Sequence, residues 1–123
     1  MSSFNDHCLD DDKLKHGVKL PLFDKDGGIS EDYVMVRWAW DDKVRAAMDV
    51  LRRDMRKAHG KDDNTEELTR EGIASQVAGW SFSEKPTKAN IRKFLKSRPD
   101  VAERIDVLSA NTKVFFTDSG ESS

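Results

Sequence analysis

Cysteine is almost missing from this chain: Cys8 stands alone among 123 residues. A lone cysteine excludes an internal disulfide framework and fits a reducing compartment. No window approaches the ~18 apolar residues of a membrane-spanning helix. The opening stretch, MSSFNDHCLDDD, is acidic and has no apolar h-region, so it does not read as a secretory signal. An excess of charge of one sign is missing too. The 21 basic and 23 acidic side chains leave a net charge of −2, which argues against wholesale disorder and is unlike a typical nucleic-acid module. There is no Gly-x-Ser-x-Gly elbow, phosphate loop or dinucleotide fingerprint.

What is present is charge. Asp, Glu, Lys and Arg make up 36% of the chain, against a usual ~25%. The length favours one domain with a modest core. Residues 1–13 read as a flexible acidic arm, 14–116 as a single globular domain and 117–123 as a flexible polar tail. The fold class expected is α+β, mainly α: an N-terminal β hairpin followed by about four helices.

The hairpin is read from alternation. Val18, Leu20 and Leu22 share one face of GVKLPLF, and Pro21 marks an edge strand. DKDGG (24–28) is turn chemistry, and YVMVRWAW (33–40) reads as the return strand, with Trp38 and Trp40 on one face. A first helix over 42–59 follows from the stripe Val44, Ala47, Met48, Leu51, Met55 and Ala58, with Asp41 or Asp42 as cap and Gly60 as stop. A second helix runs from Thr65 to Trp80 or just before, with Gly79 as its stop and Leu68, Ile73, Val77 and Trp80 inward. A third has Pro86 in its first turn and buries Ile91, Phe94 and Leu95. A fourth, from Pro99 to Ala110, presents Val101, Ala102, Ile105 and Leu108. KVFF (113–116) is an apolar plug near the end.

Motifs for chemistry are weak. Counted from Asp24, a calcium loop fails at positions 5, 6 and 12, where Gly28, Ile29 and Met35 stand; a hairpin turn explains the residues better. His7 and Cys8 lack a second pair at zinc spacing, and an acidic neighbourhood deactivates the Cys8 thiol. No catalytic, cofactor-binding or metal residue is assigned, and an enzyme is not expected.

Two stretches are basic. Residues 43–57 carry six cationic and two anionic side chains, and 85–98 carry six cationic and none anionic. They could track phosphates, although a solvated face or an acidic partner explains them equally. Trp38, Trp40, Phe115 and Phe116 lie outside the expected helical core. With Arg92 they are the candidate protein-interaction residues, because aromatics and Arg are enriched at interfaces. A two-stranded hairpin is marginal alone, so self-association through the hairpin and the C-terminal aromatics is expected.

The C-terminal half carries a pattern: Val77-Ala-Gly-Trp80-Ser-Phe82, then Asn90-Ile91, Phe94-Leu95, Pro99 and Val101-Ala-Glu-Arg-Ile105. Over about residues 65–110 it resembles the tail assembly chaperones of long, non-contractile-tailed (lambda/HK97-like) bacteriophages, where a Gly-Trp helix end precedes a helical pair. The resemblance implies a non-enzymatic late protein in the host cell cytoplasm, absent from the mature virion. Its implied partners are the phage tape measure protein, the tail tube protein and a longer frameshifted form of itself in a homo-oligomer. No membrane partner is implied, and nucleic acid is not the expected one. The alternative is a small phage nucleic-acid-binding or regulatory protein using the basic helices 43–57 and 85–98.

Overall fold

A computed structural model of the chain describes residues 3–57 and 65–116. Alternation in VKLPLF gives strand β1, Val18–Phe23, whose burial follows it: Leu20 and Leu22 inward, Lys19, Pro21 and Phe23 outward. The return strand β2, Ile29–Val36, pairs antiparallel with Leu20 opposite Val34 and Val18 opposite Val36. Between them Gly27 takes φ 85°, and the Asp24 carboxylate accepts from the backbone N–H of Asp26 and Gly28, each at 3.0 Å. This is an Asx-type turn.

The sheet has a third strand that the periodicity does not predict. Strand β3, Val77–Trp80, lies antiparallel beside β2, giving the order β1-β2-β3. The second helix therefore ends at Ala74 rather than running to Trp80. The cause is a non-local clamp. Arg37 donates from Nη1 to the carbonyls of Ser75 (3.1 Å) and Val77 (2.7 Å), and its backbone N–H donates to the Gln76 carbonyl at 2.6 Å.

β2 also ends earlier than expected, at Val36. Trp38 and Trp40 are thus off the sheet and do not share a strand face. Ser109 pulls the chain away: its hydroxyl donates to the Arg37 carbonyl at 2.6 Å, and its own carbonyl accepts from Ala39 N–H at 2.9 Å.

Five α-helices complete the described fold. The first, α1, Asp11–His16, falls partly in the stretch expected to be a loose arm. Asp10 caps it through its carboxylate, and Gly17 (φ 84°) ends it. The arm is also held to the other end of the domain. Asp10 N–H donates to the Phe115 carbonyl at 2.9 Å, Leu9 bridges Phe116, and Lys13 Nζ donates to the Phe116 carbonyl at 2.7 Å.

Helix α2, Asp42–Lys57, starts where Asp41 accepts from Lys43 N–H at 2.8 Å. The expected stop at Gly60, and Ala58, lie outside the described residues. Helix α3 is Thr65–Ala74, α4 is Lys88–Ser97 and α5 is Pro99–Ala110. Thr87 caps α4 by accepting from Asn90 N–H at 3.2 Å, so Pro86 precedes the helix instead of opening it. Pro99 does open α5.

The core lies between one sheet face and the α4–α5 pair. Leu20, Leu22, Val34, Val36 and Val77 meet Ile91, Leu95, Val101, Ala102 and Ile105. Helix α2 stands outside this core and packs on α3. Gly72 permits the contact: a Cβ there would lie 3.1 Å from Met48 Cε and 3.2 Å from Leu51 Cδ1. The mainly-α α+β fold, with its N-terminal hairpin and four following helices, is therefore the one expected, with the third strand added.

Candidate protein-interaction surface

The five candidate residues do not form one site. Phe115 is fully buried, at 0% exposure, and its ring lies 6.4 Å from that of Trp38. Trp38 is half-buried, and its indole N–H donates to Thr112 Oγ1 at 3.1 Å. Phe116 is half-buried at the bridge to Leu9. The C-terminal aromatics thus close the domain on itself and are not an exposed plug. A short 3-10 turn, Thr112–Phe115, aims Phe115 inward. Trp40 is different. It is 62% exposed, with the Arg45 guanidinium 5.7 Å over its ring.

Arg92 stands on the rim of a cleft of about 350 Å³ between α2, α3, β3 and α4. The floor includes Ala47, Leu51, Ala74, Val77 and Ile91. Val50 of α2 is half-exposed at its wall, whereas Met55, one turn beyond Leu51 and outside the lining, is 40% exposed rather than buried in the stripe that predicts it inward. Both charge signs line the rim: Arg37, Lys88 and Arg92 against Asp54 and Glu71. Arg92 Nη1 approaches Glu71 Oε1 at 3.5 Å. An apolar floor with charges of both signs at the rim suits an amphipathic polypeptide better than a small polar substrate.

A second hollow, of about 340 Å³, lies at the other side of α4. Trp80, Phe82 and Phe94 wall it, with ring centroids 5.1–5.8 Å apart in edge-to-face contacts. Trp80 is fixed by its indole N–H donating to the Glu84 carbonyl at 2.6 Å. Periodicity predicts Trp80 and Phe94 in the core and gives Phe82 no inward place. All three are half-buried, and the Gly-Trp pair lies on a strand, not at a helix end.

The titration that stands out belongs to neither hollow. Arg98 grips Asp100 through two hydrogen bonds, at 2.9 and 2.8 Å. This hydrogen bonding lowers the Asp100 carboxyl to about 2 and raises Arg98. The pair is exposed, so its place is at the α5 N-terminus, where a carboxylate also suits the helix dipole.

Among the described residues, no three His, Cys, Asp or Glu side chains are grouped to hold a metal ion. No described helix is long and apolar enough to cross a membrane. No family model, curated protein or solved structure matches the chain.

Proposed function

We propose that this chain is a phage tail assembly chaperone. It binds the tape measure protein, keeps that long helical rod soluble and promotes assembly of the tail tube around it. The observation that carries the reading is the cleft between α2, α3 and α4. Its apolar floor, the half-exposed Val50 in its wall, and a rim of mixed charge fit one face of an amphipathic helix. The resembling segment, about residues 65–110, supplies α3, β3, α4 and α5, and Val77, Ile91, Leu95, Val101, Ala102 and Ile105 from it share one core. On this reading the protein acts in the host cytoplasm without a cofactor or catalysis, and leaves before the virion is mature. The tail tube protein and a longer frameshifted form of the chain are its other partners. Many copies on one rod turn weak contacts into firm coverage through effective concentration.

The nucleic-acid reading has less support. The basic rim of the cleft is shared with Asp54 and Glu71, and Arg92 already faces Glu71. Co-expression tests the proposal. The wild-type chain should hold a helical segment of the tape measure protein in the soluble fraction. Val50→Asp should lose most of that effect while keeping the fold, since the position is 50% exposed. A segment equally soluble with either chain, or insoluble with both, overturns it.

A further inference from the structure

The aromatic-walled hollow beside α4 is built partly from the basic stretch 85–98. Lys93 lines it together with Glu84, and the exposed Lys85 and Lys96 adjoin the lining residues Glu84 and Ser97 in sequence, so three cations stand against one acid. The β1–β2 tip is its counterpart. Phe23 (49% exposed) and Ile29 (72% exposed) are cross-strand partners there, so they stand side by side. Asp24, Asp26, Glu31 and Asp32 surround them, all exposed, with Lys25 the one cation in residues 24–32. Arg104 lies 4.9 Å over the Phe23 ring and holds it by donating to the Pro21 carbonyl at 3.1 Å. One surface is thus an apolar knob in an acidic collar, and the other an apolar socket in a basic collar.

A copy cannot fill its own socket. Phe23 alternates to the sheet face opposite Leu22, whereas Trp80 sits opposite Val34 on the core face. Ser81 Oγ donates to Asp32 Oδ1 at 3.0 Å and holds the base of the tip to the strand that carries Trp80. We propose that the occupant is a second copy of this chain: the Phe23–Ile29 tip of one copy seats in the Trp80–Phe82–Phe94 hollow of the next. Apolar anchors in a pocket would supply the affinity, and the opposed collars would steer and orient the encounter. This inference rests on the homo-oligomer part of the function proposed above and not on the tape measure protein, which its test omits.

The experiment is sedimentation velocity of the full chain at several concentrations. Wild type should associate between about 1 and 100 μM, the range of ordinary weak interfaces. Ile29→Lys destroys the knob and Lys93→Glu reverses the socket's collar. Each variant alone should associate at least ten-fold more weakly, and their equimolar mixture should recover association, because it retains one intact knob and one intact socket. Disulfide trapping is the second measurement. On a Cys8→Ser background, Ile29→Cys mixed with Asn90→Cys should form a crosslinked heterodimer on mild oxidation. Ile29→Cys mixed with Val107→Cys, on the exposed face of α5, should not. A wild type that stays monomeric at 100 μM, variants that associate like wild type, a mixture that gains nothing, or trapping that is equal at Val107 each overturn the proposal. The first of these would leave the hollow to an acidic, apolar segment of another protein.

Discussion

At the scale of single residues, two glycines and one carboxylate do the most for their size. Gly17 sits at φ 84°, and a Cβ there would lie 2.6 Å from the Val36 carbonyl oxygen. Both faults fall on backbone that cannot give way. Gly17→Ala should therefore lower stability by more than the ~1 kcal/mol of a left-handed alanine alone, read as a drop in the denaturant midpoint. Gly72 is the gentler case. Its neighbours are the flexible ends of Met48 and Leu51. Gly72→Ala gains about 1 kcal/mol of helix propensity against a few tenths of an ångström of shift, and should stay near wild type. Gly72→Leu should cost about 1–3 kcal/mol by overpacking. Asp100 has its carboxyl lowered to about 2 by Arg98, so its contribution is complete above the unfolded value near 4 and is lost as pH falls through about 2. Because the Arg98 and Asp100 side chains are 41% and 60% exposed, that contribution is below about 1 kcal/mol. Asp100→Asn should be slightly less stable than wild type at pH 7, and the difference should close toward pH 2.

At the scale of elements, local pattern reads well where it is local and fails where the cause is remote. The α2 start and both ends of α5 are written in Asp41, Pro99 and Asn111 within one turn of the helix they bound. The edge character of β1 is equally plain, since Pro21 lacks the N–H a central strand needs. Strand β3 was not legible. Ile73, Val77 and Trp80 keep helical spacing, and only Arg37, about forty residues upstream in sequence, turns the chain into the sheet. Ser109, about seventy residues downstream, ends the Trp38–Trp40 strand that alternation predicts. The N-terminal segment carries a readable signal that composition obscured: Asp10 as cap, Asp11 and Asp12 in the first turn, Gly17 as stop. Its partner, the Phe115–Phe116 backbone, is a hundred residues away in sequence. Phe115→Ala should cost about 3–5 kcal/mol, as for other fully buried aromatics, and should not change how strongly the chain self-associates. Thermal melts with sedimentation at matched concentration check both parts.

At the scale of the whole molecule, one core is held between a three-stranded sheet and two helices, with α2 and α3 laid against its side. That layout leaves hollows on both sides of α4, with Lys88 and Arg92 at one and Lys93 at the other. The candidate site was only partly legible. Arg92 lies at a cleft rim and Trp40 at the surface, apart from each other, whereas Phe115 and Phe116 turn inward because the arm that receives them lies at the far end of the sequence. Charge alone does not say whether the basic rims meet phosphate or protein, because screening separates the two only when salt is varied. The most direct measurement is a binding titration of a labelled helical segment of the tape measure protein, with labelled duplex DNA alongside, at low and at physiological salt. The account predicts saturable binding of the segment that changes little with salt and is lost in Val50→Asp. Binding of the DNA instead, falling with a slope near −0.9 per phosphate contacted and with no binding of the segment, would contradict it.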